Sequence, residues 1–98
     1  MDVRWTEAAL EHVRAIRDYI AADSPFYAGR TADRILARSE QLADHPRSGR
    51  VVPERGDPDV REVIEGPYRI ICQVRAERVE VLAVVHGRRE LPPDIAGR

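Results

Sequence analysis

Two apolar segments joined by a short polar connection, residues 68–74 and 79–85, constrain the fold most. In the first segment, one set of alternate positions is apolar: Tyr68, Ile70, Cys72 and Val74. Successive side chains of a strand point to opposite faces, so this spacing predicts a strand with one buried face. The second segment is apolar on both faces, which predicts a central strand that is covered on both sides. The connection around Ala76 and Glu77 therefore predicts an antiparallel hairpin.

A third strand is predicted directly before this hairpin, over residues 60–65. Its sequence, VREVIE, sets Val60, Glu62 and Ile64 on one face against their neighbours on the other. Gly66-Pro67 is a turn signal, so the three strands should form an antiparallel meander. Residues 45–59 contain several prolines and glycines and no periodicity. We expect a long loop there, which is uncommon in a small domain and often functional.

The N-terminal half predicts a short strand over residues 2–5 and then two helices. Thr6 is of the type that caps helices, and an apolar stripe at helical spacing follows it, comprising Ala9, Val13, Ile16 and Ile20. Ser24 and Pro25 start a second helix, which the sequence DHPRSGR ends. The short link predicts an antiparallel helical hairpin. The expected fold is α+β, with the hairpin on one face of the sheet, in a single domain over residues 1–98.

Composition excludes several classes of protein. Of the 98 residues, 43% are hydrophobic and 34% are charged, which is typical of a globular chain and not of a disordered one. The longest apolar stretch, Val81 to Val85, is too short to cross a bilayer, so no membrane partner is expected. No signal peptide is indicated, and Cys72 is the only cysteine. We therefore expect a cytoplasmic protein with no disulfide, and its residue spacings predict no cofactor and no metal site.

Arginine is the recurrent candidate for binding a partner. All sixteen basic residues are arginine, a bias that GC-rich codons also favour. The guanidinium group binds carboxylate or phosphate bidentately, whereas a net charge of −1 argues against a general nucleic-acid coat. Arg69 should lie on the sheet face away from the helices, beside Gln73 and Arg75. Apolar side chains are expected on the same face, namely Ile71, Leu82 and Val84. Such a mixture describes a binding surface, although a solvated face is the alternative.

Two more basic groups are open to both interpretations. The first closes the last strand and consists of His86, Arg88 and Arg89. It could hold phosphate or carboxylate, or it could be only a polar strand end. The second is a stripe at a spacing of four on the second helix and consists of Arg30, Arg34 and Arg38. It is either a solvated helix face or a basic ridge for an acidic partner.

Four motifs, in order along almost the whole chain, resemble the RelE/ParE superfamily of type II toxin–antitoxin toxins. They are RWTEAALEHVRAIRDYIAADSP, LADHPRSGR, VREVIEGPYRIICQV and VEVLAVVHGRRE. The resemblance implies the fold described above and a toxin that a cognate, often acidic antitoxin neutralises by wrapping its C-terminal segment around it. Operator DNA would be bound only through the antitoxin. The expected partner-binding residues are Arg30, Arg34, Arg38, Arg61, Arg69, Gln73, Arg75, His86, Arg88 and Arg89.

The superfamily has two functional branches, and the sequence departs from one of them. RelE-like members cut mRNA in the ribosome, and the resemblance assigns the catalytic roles to Arg69 and Arg89, with His86 as a substitute for the usual proton-transfer group. However, Glu62 follows Arg61 where these RNases tend to carry lysine or arginine, and the tail ELPPDIAGR contains no tyrosine, histidine or lysine. These departures favour the ParE-like branch, which inhibits DNA gyrase without catalytic residues. A ribosome-dependent mRNA endoribonuclease and a degenerate toxin kept as a binding or autoregulatory subunit are the alternatives.

Overall fold

The computed structural model describes residues 1–87, 89 and 91. The elements in chain order are β1 (Asp2–Trp5), α1 (Glu7–Ala21), α2 (Pro25–Glu40), a 3₁₀ turn (Gln41–Ala43), β2 (Arg50–Val51), β3 (Val60–Glu65), β4 (Tyr68–Val74) and β5 (Arg78–His86). The strands form one sheet in the order β1-β5-β4-β3-β2. The predicted α+β class, the helical hairpin and the antiparallel meander of β3, β4 and β5 are confirmed. Within the described residues, the helices are too short or too polar to span a membrane.

The two helix starts follow from the capping residues in the sequence. The Thr6 hydroxyl accepts a hydrogen bond from the Ala9 amide at 3.1 Å and donates one to the Val81 carbonyl at 2.9 Å. Thr6 therefore both caps α1 and fastens it to β5. The Ser24 hydroxyl accepts from the Tyr27 amide at 3.2 Å and caps α2, with Pro25 in the first turn as expected.

The sheet has two more strands than the meander. β1 pairs with β5 in parallel, with Val3 opposite Val79, so the N-terminal strand forms one edge of the sheet. At the other edge, β2 pairs with β3, with Arg50 opposite Glu62. The expectation of an unstructured loop over residues 45–59 is therefore wrong at β2. A two-residue strand has no measurable periodicity, and a Cβ atom at Gly49 would collide with the Glu62 backbone, so glycine permits this close approach.

The sheet separates two apolar cores. The core beneath the helices contains Ala9, Ile35, Leu42, Val63, Ile70, Cys72, Val79, Val81 and Val84. The core on the opposite face, which we call the outer core, contains Val52, Val60, Ile71, Ala83 and Val85, with Leu91 packed against it. The predicted alternation along β4 is confirmed, since Ile70 and Cys72 face the helices and Ile71 faces away.

A β-bulge corrects the faces predicted for β5. Ile71 lies opposite Ala83 and Cys72 lies opposite Val81, so Leu82 has no partner on β4. The extra residue shifts the alternation of every later side chain by one position. Val84 therefore lies in the core beneath the helices and not on the outer face, as the unbroken alternation had predicted.

The outer face of the sheet is also less open than its composition indicated. Ile71 has no exposed surface, because Val52, from the segment after β2, and Leu91, from the C-terminal segment, pack on the same face. The expectation that this face is an open, mixed apolar and cationic surface is therefore wrong over the outer core. The sequence does not show that the chain folds two of its own segments back across the sheet.

Removing the Thr6 hydroxyl tests the link between α1 and β5. We expect Thr6→Ala to lower the free energy of unfolding by about 1–2 kcal/mol, since it loses a cap and a bond to the Val81 carbonyl. Ser24→Ala is the matched control, because its exposed cap makes one such bond and should cost about 0.5–1 kcal/mol. Urea unfolding measures both values. Equal losses in the two variants would contradict the additional role of Thr6.

Candidate functional site

Arg69 lies on the outer face of β4 at the centre of an ion-pair network. Its guanidinium binds Glu54 through two hydrogen bonds, Nη1 to Oε2 at 2.8 Å and Nη2 to Oε1 at 2.9 Å. Its Nε donates to Glu62 Oε1 at 2.7 Å, and Nη1 also lies 3.4 Å from the Arg89 carbonyl oxygen. Arg50 pairs with the second carboxylate oxygen of Glu62. The network therefore joins four separate segments of the chain.

The strand register explains how these charges meet. Arg69 lies opposite Ile64 on β3, and Glu62, two residues earlier, is on the same face of the sheet as Ile64. Arg69 is only 5% exposed and Glu62 only 1%. Burial disfavours a charged group, so each requires the other. The hydrogen bonds from Arg69 lower the pKa of Glu54 to about 2, and those that Glu54 accepts raise the pKa of Arg69 above its ordinary value.

Arg69 is consequently engaged in intramolecular contacts, contrary to the expectation of an open residue. Its donors point at two carboxylates and a carbonyl oxygen, all from its own chain. An external phosphate or carboxylate at this guanidinium would have to displace Glu54. Sequence reasoning missed Glu54, because it lies in the aperiodic segment between β2 and β3. The sequence indicated no more than a carboxylate in a predicted loop, with nothing to place it near Arg69.

Three other predicted residues on the sheet also have intramolecular partners. Arg75 pairs with Glu80 at 2.7 Å and donates to Gln73 at 3.0 Å, and Gln73 itself is buried. The hydrogen bond from Arg75 lowers the pKa of Glu80. Arg61 donates to the carbonyl oxygens of Pro58 at 2.9 Å and Gly49 at 3.0 Å. Arg61 therefore fastens the segment around β2 to the sheet.

The predicted stripe on α2 is present on the helix surface. Arg30 and Arg34 are exposed, and Arg38 is half-buried. The Arg30 guanidinium lies 5.6 Å from the centre of the Phe26 ring, a cation–π contact, and Arg38 donates to the Gln41 side chain at 2.9 Å. The tip of the hairpin adds exposed aromatic rings from Tyr19, Phe26 and Tyr27.

A groove of about 540 Å³ lies between α1 and one end of the sheet. It is lined by His12, Ala15, Ile16, Tyr19, Tyr68, Val84, Val85, His86 and Arg89. The groove brings together His86 and Arg89 of the predicted strand-end cluster, whereas Arg88 lies outside the described residues. The rings of Tyr68 and His86 meet edge to face, with their centres 6.0 Å apart.

Sequence reasoning missed His12, which holds α1 against β5 at this groove. The Val84 amide donates a hydrogen bond to His12 Nδ1 at 3.2 Å. β1 pairs with β5 only as far as Val81, so the edge of β5 beyond that point is left for α1 to cover. The signal in the sequence was weak: His12 lies one turn before Ile16, next to the apolar stripe of α1.

The three residues that an RNase of this superfamily would use are not gathered on one face of the sheet. His86 lies opposite Tyr68, and both line the groove on the helix side. Arg69 is the next residue along β4 and lies on the outer face. Within the part of the chain that the structure describes, no cluster of three histidine, cysteine or acidic side chains could hold a metal.

Comparison with known proteins gives consistent matches over nearly the whole chain. Residues 3–91 match the model of the family described as "ParE toxin of type II toxin-antitoxin system, parDE". The chain is 36% identical to Y4kP of Sinorhizobium fredii over 91 residues, 92% of each chain. It is also 36% identical to toxin RelE2 of Caulobacter vibrioides over 88 residues, which are 89% of this chain and 96% of that protein.

A solved structure supports the fold independently. The chain is similar to a chain of the chromosomal ParDE toxin–antitoxin system from P. aeruginosa, with a TM-score of 0.74 and 24% identity. The similarity covers 88% of this chain and 95% of the other. With a family match over residues 3–91 and two relatives that are 36% identical, the chain belongs to the ParE toxin family of type II toxin–antitoxin systems, within the RelE/ParE superfamily.

Proposed function

We propose that this toxin is neutralised by a cognate antitoxin and that, when free, it inhibits DNA gyrase and does not cleave mRNA. The engagement of Arg69 by Glu54 and Glu62 carries the choice between these two activities. A nuclease needs a cation that can stabilise the charge developing on the scissile phosphate. In this chain the corresponding guanidinium is buried and already neutralised by two carboxylates.

The position of His86, to which the family resemblance assigns proton transfer, supports the same choice. A general acid or base must come within hydrogen-bond reach of the reacting group. His86 lines the groove on the helix side, whereas Arg69 faces the outer core, so the sheet separates them. A phosphate bound at one of these residues would be out of reach of the other. Inhibition of gyrase by binding requires no such constellation.

Binding of an antitoxin is supported by the surface that the described residues leave exposed. The hairpin tip carries three exposed aromatic side chains, and Arg30 and Arg34 lie on the adjacent face of α2. Aromatic and arginine side chains are enriched at protein interfaces, and an acidic partner would complement the arginines. The P. aeruginosa relative is described as part of a toxin–antitoxin system, which is consistent with a partner of this kind.

A supercoiling assay tests the proposed target. Purified toxin, titrated into DNA gyrase with relaxed plasmid and ATP, should reduce the yield of supercoiled plasmid in a saturable manner. The product of the neighbouring reading frame, if it is the antitoxin, should restore supercoiling when it is added at a stoichiometric amount. The control is the same titration with topoisomerase I, whose relaxation of the plasmid should be unaffected.

Two results would contradict this proposal. Full gyrase activity at saturating toxin would exclude gyrase as the target. Transcripts that are cleaved in a translation extract only when the toxin is present would identify the ribosome-dependent endoribonuclease instead. If neither activity is present and induced expression without the antitoxin leaves growth unchanged, the protein is a degenerate toxin with a binding or autoregulatory role.

Replacement of Arg69 tests whether this residue is structural. We expect Arg69→Met to lower the free energy of unfolding by about 3–5 kcal/mol, because it leaves the buried Glu62 carboxylate with one partner instead of two. Arg75→Met is the matched control, since its exposed pair with Glu80 should contribute about 0–1 kcal/mol. Chemical denaturation measures both changes. A stable Arg69→Met variant would show that the guanidinium is kept for a reason other than folding.

A further inference from the structure

We propose that the groove between α1 and the ends of β4 and β5 binds a carboxylate on an acidic segment of the antitoxin, with an aliphatic side chain beside that carboxylate. This inference rests on the proposed function for the existence of the antitoxin, and it adds where the antitoxin's acidic group binds and which side chains recognise it. His12 and Arg89 would bind the carboxylate, and Ile16 and Val84 would pack against the aliphatic neighbour.

The hydrogen bond at His12 determines what this residue can offer a ligand. A backbone amide can only donate, so Nδ1 of His12 must be the acceptor of the bond from Val84. In the neutral ring the proton therefore lies on Nε2. Nδ1 is engaged by the Val84 amide, so Nε2–H is the donor that the neutral ring has for a ligand, and His12 lines the groove. The tautomer thus provides a donor suited to an oxygen acceptor.

The charges along the groove favour an anion. Among the residues that the structure describes, the lining includes the nitrogen-bearing side chains of His12, His86 and Arg89 and no aspartate or glutamate. Arg89 forms no ion pair with any described residue, whereas Arg50, Arg69 and Arg75 are each paired with a glutamate. Its guanidinium is therefore a cation that a partner carboxylate can neutralise bidentately.

The remaining lining residues favour a polypeptide over a free small anion. The lining includes the apolar side chains of Ala15, Ile16 and Val84, and Tyr19, which also lines the groove, is 83% exposed. A volume of about 540 Å³ is far larger than one carboxylate needs and accommodates several side chains. Burial of an aliphatic neighbour would also exclude water from the ion pair, which strengthens it.

The hairpin tip is the competing surface for an acidic segment. Phe26, Tyr27 and Arg30 lie there, but the Arg30 guanidinium is already placed over the Phe26 ring. None of these three side chains is an imidazole, whereas the groove combines the His12 imidazole with an arginine and apolar side chains. The observations therefore favour the groove, and the tip becomes one outcome of the test.

Two short peptides test the proposal on the intact toxin. They are N-acetyl-Leu-Glu-Leu-amide and N-acetyl-Leu-Gln-Leu-amide, which differ by one charge. Titration into ¹⁵N-labelled toxin should shift the amide signals of Val84, Val85 and His86 saturably with the Glu peptide. We expect the Gln peptide to bind about tenfold more weakly, because it cannot form a charge-assisted bond with Arg89. The imidazole nitrogen spectrum should show His12 as the Nε2–H tautomer.

Arg89→Gln and Arg14→Gln form a matched pair of variants, since Arg14 is exposed on α1 and does not line the groove. Arg89→Gln should weaken binding of the Glu peptide about tenfold and abolish the preference for Glu over Gln, while Arg14→Gln should bind both peptides as the unmodified toxin does. Unchanged amide signals from α2 and β3 would show that both variants keep the fold. Equal binding of the two peptides, shifts confined to Phe26 and Tyr27, an Nδ1–H tautomer of His12, or no binding would each overturn the proposal. None of these outcomes alters the supercoiling result, so the two proposals fail separately.

Discussion

A carboxylate as deeply buried as that of Glu62 needs compensating charge, and Arg50 and Arg69 supply it from two sides. The Nη1 and Nη2 groups of Arg69 bind Glu54, and this pair holds the segment after β2 across the outer face of the sheet. Val52 enters the outer core with this segment, and the Arg89 carbonyl contributes from the C-terminal side. Coverage of the outer core therefore depends on the correct placement of one guanidinium.

The two faces of the sheet consequently have different roles. On the outer face, the charges neutralise one another inside the chain, and the apolar side chains of Ile71 and Val85 are covered by the chain itself. On the helix side, β1 ends at Trp5 and leaves the rest of the β5 edge without a strand partner. The cap residue Thr6 and His12 of α1 form hydrogen bonds to that edge, at Val81 and Val84. Because the donors of Arg69 are engaged by carboxylates of its own chain, we propose recognition at the groove end and not at the network around Arg69.

Much of the fold could be predicted from local pattern. The alternation along β3 and β4, the caps Thr6 and Ser24 and the helical stripes each depend on residues a few positions apart, and the structure agrees with them. Three features could not be predicted in this way: β2, the bulge at Leu82 and the pairing of Arg69 with Glu54. Each depends on where a distant segment returns to the sheet, and no spacing within a segment encodes that. The bulge alone moved Val84 to the other face.

Contacts between distant segments also decide what role a residue in a sequence motif has. The tyrosine–arginine pair that opens β4 fixes the face on which the guanidinium lies, because strand alternation is local. That guanidinium is available to a substrate only if no carboxylate of the same chain binds it. In this chain Glu54 binds it, although the two residues are 15 positions apart in the sequence. An arginine at this place in the fold can hold a phosphate or can hold the protein together. In this chain the bidentate pair with Glu54 and the burial of Glu62 favour the second role, which is why we propose recognition of partners at the groove and the helical hairpin.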